Sequence, residues 1–176
     1  MVAYQQGDLT AFDRLYRQLA PCLRGYLGSL VRDPARTPDL VQETFLQLHR
    51  SRRAYRPDLP VRPWAFAIAR NVALMDMRSR SRRPQTGGEL PDLPVLPEAA
   101  ALGDREALRH ALAALNDERR EAILLHHVWG FSFAEIARLV GVTTAGARLR
   151  SSRGMADLRT ALSNGGGATD RSGGRW

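Results

Sequence analysis

Apolar residues recur at helical spacing along most of the chain, and no stretch shows the strict alternation of a half-buried strand. The clearest run covers residues 8–31, although Pro21 inside it predicts a kink or a break. A Thr-Pro start signal opens the next expected helix, residues 37–53, and a third long helix is expected over residues 63–82. The first half therefore reads as a small helical bundle.

Residues 84–103 interrupt this pattern. They contain four prolines and three glycines, which predict a flexible, extended linker. The helical pattern then resumes in four stretches, roughly 104–115, 117–129, 132–140 and 143–162. The last residues, 163–176, are rich in glycine and serine and predict a disordered tail.

Two of the later stretches carry the signals of a helix-turn-helix. Ser132 and Glu135 have the spacing of a capping box, Gly141 suits a left-handed helix end, and a threonine follows as the next cap. The apolar positions leave Thr144, Ala145, Arg148 and Ser152 on the outer face of the second helix, with Arg150 and Arg153 at its flank. Such a face suits the major groove of DNA. The simpler alternative is a helical hairpin with a basic, solvated face.

The predicted fold is therefore all-α, with two small helical domains joined by a flexible Pro/Gly-rich linker. We place an N-terminal helical bundle at residues 1–83, the linker at 84–103, a C-terminal helix-turn-helix domain at 104–162 and the tail at 163–176. A chain of 176 residues accommodates two small domains of this size.

The charge distribution changes the picture. All 26 basic residues are arginine, and the formal net charge is +8. Residues 1–83 hold 15 arginines against 7 acidic residues, whereas residues 84–103 hold three acidic residues and no arginine. Because the planar guanidinium suits phosphates and guanine edges, the first half predicts a polyanionic partner. A merely solvated arginine face is the alternative.

Other classes of function find no support. Cys22 is the only cysteine, so no intramolecular disulfide is possible. The four histidines lack the spacing of a zinc site, and no phosphate loop, nucleophile elbow or acid/base carboxylate pair occurs. No apolar run is long enough for a bilayer, and from the polar first residues we expect no signal peptide. We expect a cytoplasmic protein that is not an enzyme and has no catalytic residue, metal, cofactor, small-molecule substrate or direct membrane insertion.

Two features of the first half suggest binding surfaces. Asp39, Gln42 and Glu43 form a polar stripe opposite the apolar face of their helix, which is either a docking surface or ordinary solvated surface. Trp64 follows an arginine-bearing loop and precedes a basic helix end. Aromatic rings interleaved with arginines suit single-stranded nucleic acid, although a tryptophan in this position is more often part of a core.

Taken together, these motifs resemble the extracytoplasmic-function class of bacterial sigma factors, the two-domain members of the sigma-70 family. The resemblance rests on Asp39-Leu40-Val41-Gln42-Glu43, on the segment 64–71 and on the segment 119–159, and it covers roughly residues 7–162. It implies a promoter-specificity subunit with RNA polymerase core, through its β′ clamp and β subunits, promoter DNA and an anti-sigma factor as partners.

The resemblance also implies roles for individual residues. Docking on polymerase would fall to Asp39, Gln42 and Glu43. The −10 element would be opened and read by Arg56, Arg62, Trp64, Asn71, Arg78, Arg82 and Arg83. The −35 element would be read by Thr144, Arg148, Arg150 and Arg153.

One segment departs from the family pattern. The recognition helix usually begins Gly-Thr-Val-Lys-Ser-Arg, whereas residues 145–150 read Ala-Gly-Ala-Arg-Leu-Arg. Gly146 lowers helix stability by ~1 kcal/mol relative to alanine. Leu149 stands where a small polar residue is usual in the family, and we expect it to face DNA or a partner.

Two alternatives stay open at this stage. One is an autonomous helix-turn-helix regulator with a partner-binding N-terminal domain. The other is an arginine-rich nuclease or RNA-binding module, of which the nuclease lacks the expected carboxylate cluster.

Overall fold

The computed structural model describes residues 1–80 and 102–165, and every regular element within these two ranges is a helix. The chain divides into two compact units, one from each half. Arg82, Arg83 and most of the expected linker and tail lie outside the described residues. Among the described helices, none combines the length and the apolar character that a membrane crossing requires.

The N-terminal unit is a bundle of three long helices with a short leading helix. Its elements are α1 (Val2–Gln5), α2 (Leu9–Val31), α3 (Thr37–Arg50), a 3-10 turn (Arg52–Ala54) and α4 (Val61–Arg80). The core lies where α2, α3 and α4 meet, and the rings of Tyr26 and Phe66, 4.9 Å apart and both fully buried, join α2 to α4. This confirms the predicted bundle.

Helix α2 runs through Pro21 as one element, so the helix does not break there. Proline inside a helix costs about 3 kcal/mol, because it removes a hydrogen bond and crowds the preceding turn. Leu19, Leu23 and Leu27 are buried on the same helix, and each buried leucine contributes about 1.5–3 kcal/mol. Burial of this face therefore outweighs the local penalty.

Side chains fix the ends of these helices. The carboxylate of Asp8 accepts hydrogen bonds from the amides of Thr10 (2.8 Å) and Ala11 (3.2 Å) and so caps α2. Arg36 is the N-cap residue of α3 and Thr37 is its first helical residue, and the buried hydroxyl of Thr37 donates to the carbonyl of Asp33 at 2.9 Å. The turn before α3 is thus organised by Asp33.

The C-terminal unit consists of four helices. These are α5 (Leu102–Ala114), α6 (Asp117–Ile123) with a π-helical continuation (Leu124–Val128), α7 (Phe133–Val140) and α8 (Thr144–Gly165). Helix α8 packs against α5 and α6. Gly154 allows the approach to α6, since a Cβ there would lie 2.7 Å from Cδ1 of Ile123 and 3.2 Å from the carbonyl oxygen of Arg119.

The predicted helix-turn-helix signals appear in α7 and α8. The amide of Ser132 donates to the carboxylate of Glu135 at 2.8 Å and the amide of Glu135 donates to the hydroxyl of Ser132 at 3.3 Å, which completes the capping box. Gly141 has φ +76°, and the amide of Val142 donates to the carbonyl of Ala137 at 3.0 Å, as in a Schellman motif. The hydroxyl of Thr143 accepts from the amide of Gly146 at 3.0 Å and caps α8.

Candidate functional site

The polar stripe of α3 is a surface and not part of the core. The side chain of Asp39 is 63% exposed, Gln42 is exposed and Glu43 is half-buried. The amide of Gln47 donates to the carboxylate of Glu43 at 2.7 Å, which holds this carboxylate along the helix. The opposite face carries the buried side chains Leu40, Val41, Thr44, Phe45 and Leu48. The stripe is therefore available to a partner without unfolding the bundle.

A chain of ion pairs lies behind the stripe. Arg36 bonds Asp39 at 2.7 Å and Asp76 at 3.0 Å, and Arg80 bonds Asp33 at 2.8 Å and lies 3.7 Å from Asp76. Hydrogen bonds from Arg80 are the main reason that the pKa of Asp33 is lowered, and the bond to Asp76 raises the pKa of Arg36. The chain connects the turn before α3, the start of α3 and the end of α4.

The ion-pair chain extends what the sequence indicated. Among its members only Asp39 is a predicted site residue. Arg36 and Asp39 are three residues apart and Asp76 and Arg80 four, spacings that place side chains together on a helix. The link from Asp33 to Arg80 spans 47 residues and has no such local signal.

A groove of about 820 Å³ runs between α3 and α4 beside the stripe. Its polar lining includes Gln42, Glu43 and Asn71. Its apolar lining includes Leu46 and Met75, which are 40% and 69% exposed. The structure thus brings Asn71, predicted to act on the −10 element, together with two residues predicted to dock on polymerase.

The loop before α4 and the first turn of α4 hold the next predicted residues. The exposed Arg56 pairs with Asp58 at 3.1 Å, and the guanidinium of Arg62 lies 5.8 Å from the ring centre of Phe66. Trp64 is half-buried, and its ring centre lies 5.0 Å from that of Tyr55. Trp64 is therefore neither a fully buried core residue nor an open stacking platform.

The basic end of α4 is only partly described. Arg78 is exposed, whereas Arg80 belongs to the ion-pair chain. Arg82 and Arg83, predicted to lie near upstream duplex, fall outside the described residues.

On α8, the expected outer face is exposed. Its exposed members are Thr144, Ala145, Arg148, Leu149, Ser152 and Arg153, with Leu149 at 49%. Arg150 differs, because it is half-buried and pairs with Glu118 of α6 at 3.0 Å. The structure thus groups Thr144, Arg148 and Arg153 on open surface and uses Arg150 as a bridge between helices.

A stack of rings supports Arg148, and the sequence did not indicate it. The guanidinium of Arg148 lies 5.5 Å from the ring centre of Phe133, which in turn stacks on His126 at 4.1 Å and 25°. Nδ1 of His126 forms a hydrogen bond with the carbonyl of Phe131 at 2.8 Å. A guanidinium over a ring contributes about 0.5–1 kcal/mol at an exposed site, so the stack favours one orientation of Arg148.

The part of the chain that the structure describes contains no candidate metal site. There, no three His, Cys, Asp or Glu side chains converge in a way that would hold an ion.

Comparison with known families gives two matches. The family described as "Sigma-70 region 2" matches residues 15–83, and the family described as "Sigma-70, region 4" matches residues 105–158. The chain is 37% identical over 167 residues to RNA polymerase sigma factor CarQ of Myxococcus xanthus, covering 92% of this chain and 95% of the relative. It is 32% identical to ECF RNA polymerase sigma factor EcfG of Rhodopseudomonas palustris, over 81% of this chain and 80% of the relative.

Solved structures agree with these matches. The sigma factor RpoE of Bartonella quintana, in complex with the anti-sigma factor NepR, has a TM-score of 0.78 and 25% identity, covering 88% of this chain and 98% of that one. CnrH, in complex with the cytosolic domain of CnrY, shares the fold with a TM-score of 0.70 at 24% identity, covering 93% and 94%.

Proposed function

Since this chain belongs to the extracytoplasmic-function class of the sigma-70 family, RNA polymerase sigma factors that recognise promoters and initiate transcription, we propose that its two units divide this work as follows. The N-terminal unit docks on polymerase and opens the −10 element, and the C-terminal unit reads the −35 element. The observation that carries the division is the contrast between a mixed polar and apolar groove in one unit and an exposed cationic helix face in the other.

Polymerase docking falls to Asp39, Gln42 and Glu43. Their exposure on α3 and the apolar side chains of Leu46 and Met75 in the adjoining groove support a protein partner. A protein interface typically combines an apolar centre with a polar rim, which these residues supply. We assign the contact to the β′ clamp of the core enzyme, with the β subunit as a further neighbour.

We assign opening of the −10 element to the loop before α4, to the first turn of α4 and to Asn71 in the groove. Asn71 offers both a hydrogen-bond donor and an acceptor to an unstacked base, and Arg56 and Arg62 offer charge to its phosphates. Arg78, Arg82 and Arg83 would contact the duplex upstream. Extruding a base costs a few kcal/mol, which contacts of this kind return.

Reading of the −35 element falls to the outer face of α8. Thr144, Arg148 and Arg153 are exposed on it, and an arginine that reaches a guanine edge forms two hydrogen bonds. We expect Arg150 to contribute less to DNA binding than these three residues, because its guanidinium already forms an ion pair with Glu118.

Four further properties belong to this proposal. The chain positions polymerase and DNA and catalyses no reaction itself. It acts in the cytoplasm, where the polymerase is. An anti-sigma factor binds it, as NepR binds the sigma factor RpoE of Bartonella quintana. Its domains follow the boundaries predicted from the sequence, 1–83 and 104–162, with a linker at 84–103 and a tail at 163–176, except that α5 already begins at Leu102 and α8 extends to Gly165.

Transcription in vitro tests the proposal. The purified chain should direct specific initiation only when core polymerase is present, and alone it should bind promoter duplex poorly. Tight, sequence-specific duplex binding by the chain alone would favour the autonomous helix-turn-helix regulator. RNA binding that survives truncation at the linker would favour the RNA-binding module.

A further inference from the structure

Helix α1 precedes the family match, which begins at residue 15, yet it is firmly packed. Tyr4 is 4% exposed, and its ring centre lies 5.1 Å from that of Phe12 and 5.9 Å from that of His49. The hydroxyl of Tyr4 forms a hydrogen bond with Nδ1 of His49. The first residues are therefore attached to the end of α3, where the loop toward α4 starts.

Gln5 extends this attachment to the loop itself. Its side-chain amide donates to the carbonyl of Arg52 at 2.6 Å and to that of Tyr55 at 2.9 Å. These two carbonyls lie at the two ends of the 3-10 turn, and an amide group has two N–H donors available. One side chain thus holds both ends of the turn.

Tyr55 carries the restraint further along the loop. It is buried, its hydroxyl donates to the carbonyl of Leu59, and its ring packs on Trp64. Burial raises the pKa of the Tyr55 hydroxyl, so it stays protonated as a donor near neutral pH. A continuous set of contacts thus runs from Gln5 through Tyr55 to both sides of Arg56.

A restrained loop binds DNA at a lower entropic cost than a mobile one. Fixing a residue's backbone costs conformational entropy, and a loop ordered in advance does not incur that cost on binding. The loop residues 55–60 have no regular structure, and within the loop the amide of Leu59 donates to the carbonyl of Arg56 at 3.1 Å. The contacts from Gln5 add order to this turn from outside the loop.

We propose that Gln5 and Tyr4 are positioning residues that hold the loop before α4 in the shape that captures the unstacked −10 base. This inference rests on the assignment of that loop to the −10 element. It adds residues 1–6, which lie outside the matched family region, to the machinery of promoter opening.

The test uses holoenzyme reconstituted with the full chain. Gln5→Ala removes both hydrogen bonds, and Gln5→Glu places a carboxylate against two carbonyl oxygens. Because each of the two lost hydrogen bonds corresponds to about a fivefold change in an equilibrium constant, we expect a single-stranded −10 oligonucleotide to bind about fivefold to thirtyfold more weakly to Gln5→Ala, and more weakly still to Gln5→Glu. Open-complex formation, followed by 2-aminopurine fluorescence, should slow in parallel.

Gln6→Ala is the matched control, since Gln6 is the exposed neighbour of Gln5 on the same turn. It should behave as wild type. Affinity for core polymerase and for −35 duplex should stay unchanged in all three variants, whereas a merely structural role for Gln5 would lower the unfolding midpoint and the polymerase affinity together. Hydrogen exchange should rise in the loop amides of Gln5→Ala and Gln5→Glu and stay unchanged in Gln6→Ala.

Asn71→Ala separates failure of the inference from failure of the function. If Asn71→Ala loses oligonucleotide binding and the Gln5 variants do not, the positioning role is wrong and the −10 assignment stands. If Asn71→Ala and the Gln5 variants all bind and open as wild type does, the −10 assignment itself is wrong and the inference falls with it.

Discussion

The two candidate surfaces treat charge in opposite ways. On the docking face of α3, Asp39 is already paired with Arg36, which belongs to a chain of ion pairs. On the outer face of α8, Arg148 and Arg153 are exposed and form no ion pair among the described residues. Protein docking depends on complementary shape and on charges held in place. DNA binding gains when unpaired arginines neutralise phosphates and release the counterions of the DNA. Each surface thus has the electrostatics that its proposed partner requires.

The largest effect should come from reversing charge on the docking face. Asp39→Arg with Gln42→Arg places two cations beside Arg36 and leaves Glu43 as the one carboxylate of the stripe, so we expect association with core polymerase to be abolished. The fold should persist, because both side chains are exposed. Pull-down with core polymerase and circular dichroism measure the two outcomes.

The matched control for this change lies on α2. Asp13→Arg with Gln18→Arg alters the same residue types at two exposed positions of that helix and should leave association intact. If the α3 variant loses its helical circular dichroism signal, the stripe is part of the fold and not a docking surface. The contrast between the two surfaces would then be wrong.

A smaller effect should come from the packing of α8 in the C-terminal unit. Gly154→Ala places a methyl group against Ile123 and the carbonyl of Arg119. Overpacking of this kind costs about 1–3 kcal/mol, only partly offset by the ~1 kcal/mol that alanine gains over glycine in a helix. Urea unfolding followed by NMR signals of each unit should show the C-terminal unit destabilised and the N-terminal unit unchanged.

Gly146→Ala is the comparison for this variant. A Cβ at Gly146 would lie 3.2 Å from the hydroxyl oxygen of Thr143, a side chain that moves more easily than the backbone. We therefore expect stability to stay constant or to rise by up to ~1 kcal/mol. Destabilisation by both variants alike would mean that the turn, rather than the α6 contact, limits the packing of α8.

The two units also differ in how much of them the sequence predicts. In the C-terminal unit, Ser132, Glu135 and Gly141 act within a few residues of themselves, so the capping box and the turn follow from local spacing. The exposed face of α8 then follows from helical periodicity. The sequence did not predict contacts between helices, such as the ion pair of Arg150 with Glu118.

In the N-terminal unit the periodicity predicts the helices and the exposed stripe but not what surrounds them. Arg80 reaches Asp33 across 47 residues, and Gln5 reaches Tyr55 across 50. Neither pair has a repeating pattern, because each contact depends on how the helices pack. The site of this unit is built from such distant contacts, and for that reason the sequence predicted its members only in part.

The exposed arginines of α8 allow base reading to be separated from phosphate binding. If Arg148 contacts a base edge, Arg148→Ala should weaken binding by about 1–3 kcal/mol and relax specificity at one position of the −35 element. If Arg153 contacts phosphate, Arg153→Ala should weaken binding to all sequences alike and reduce the salt dependence by about one ion. Binding of holoenzyme to a set of −35 variants at several salt concentrations measures both. Loss of polymerase docking in either variant would contradict the division between the units.

The smallest effect should come from Leu149, the exposed apolar residue beside Arg148. An apolar side chain on this face suits the C5-methyl group of thymine. Replacing each −35 thymine in turn by deoxyuridine removes one methyl, and burial of such a group contributes about 0.8 kcal/mol, roughly a fourfold change in affinity. Wild-type holoenzyme should show this loss at one position, and Leu149→Ala should not.

Ser152→Ala, altered on the same face, should keep the wild-type pattern. Equal binding of wild type to every deoxyuridine duplex would assign Leu149 to a protein partner and make α8 a surface of mixed character, like the groove of the N-terminal unit.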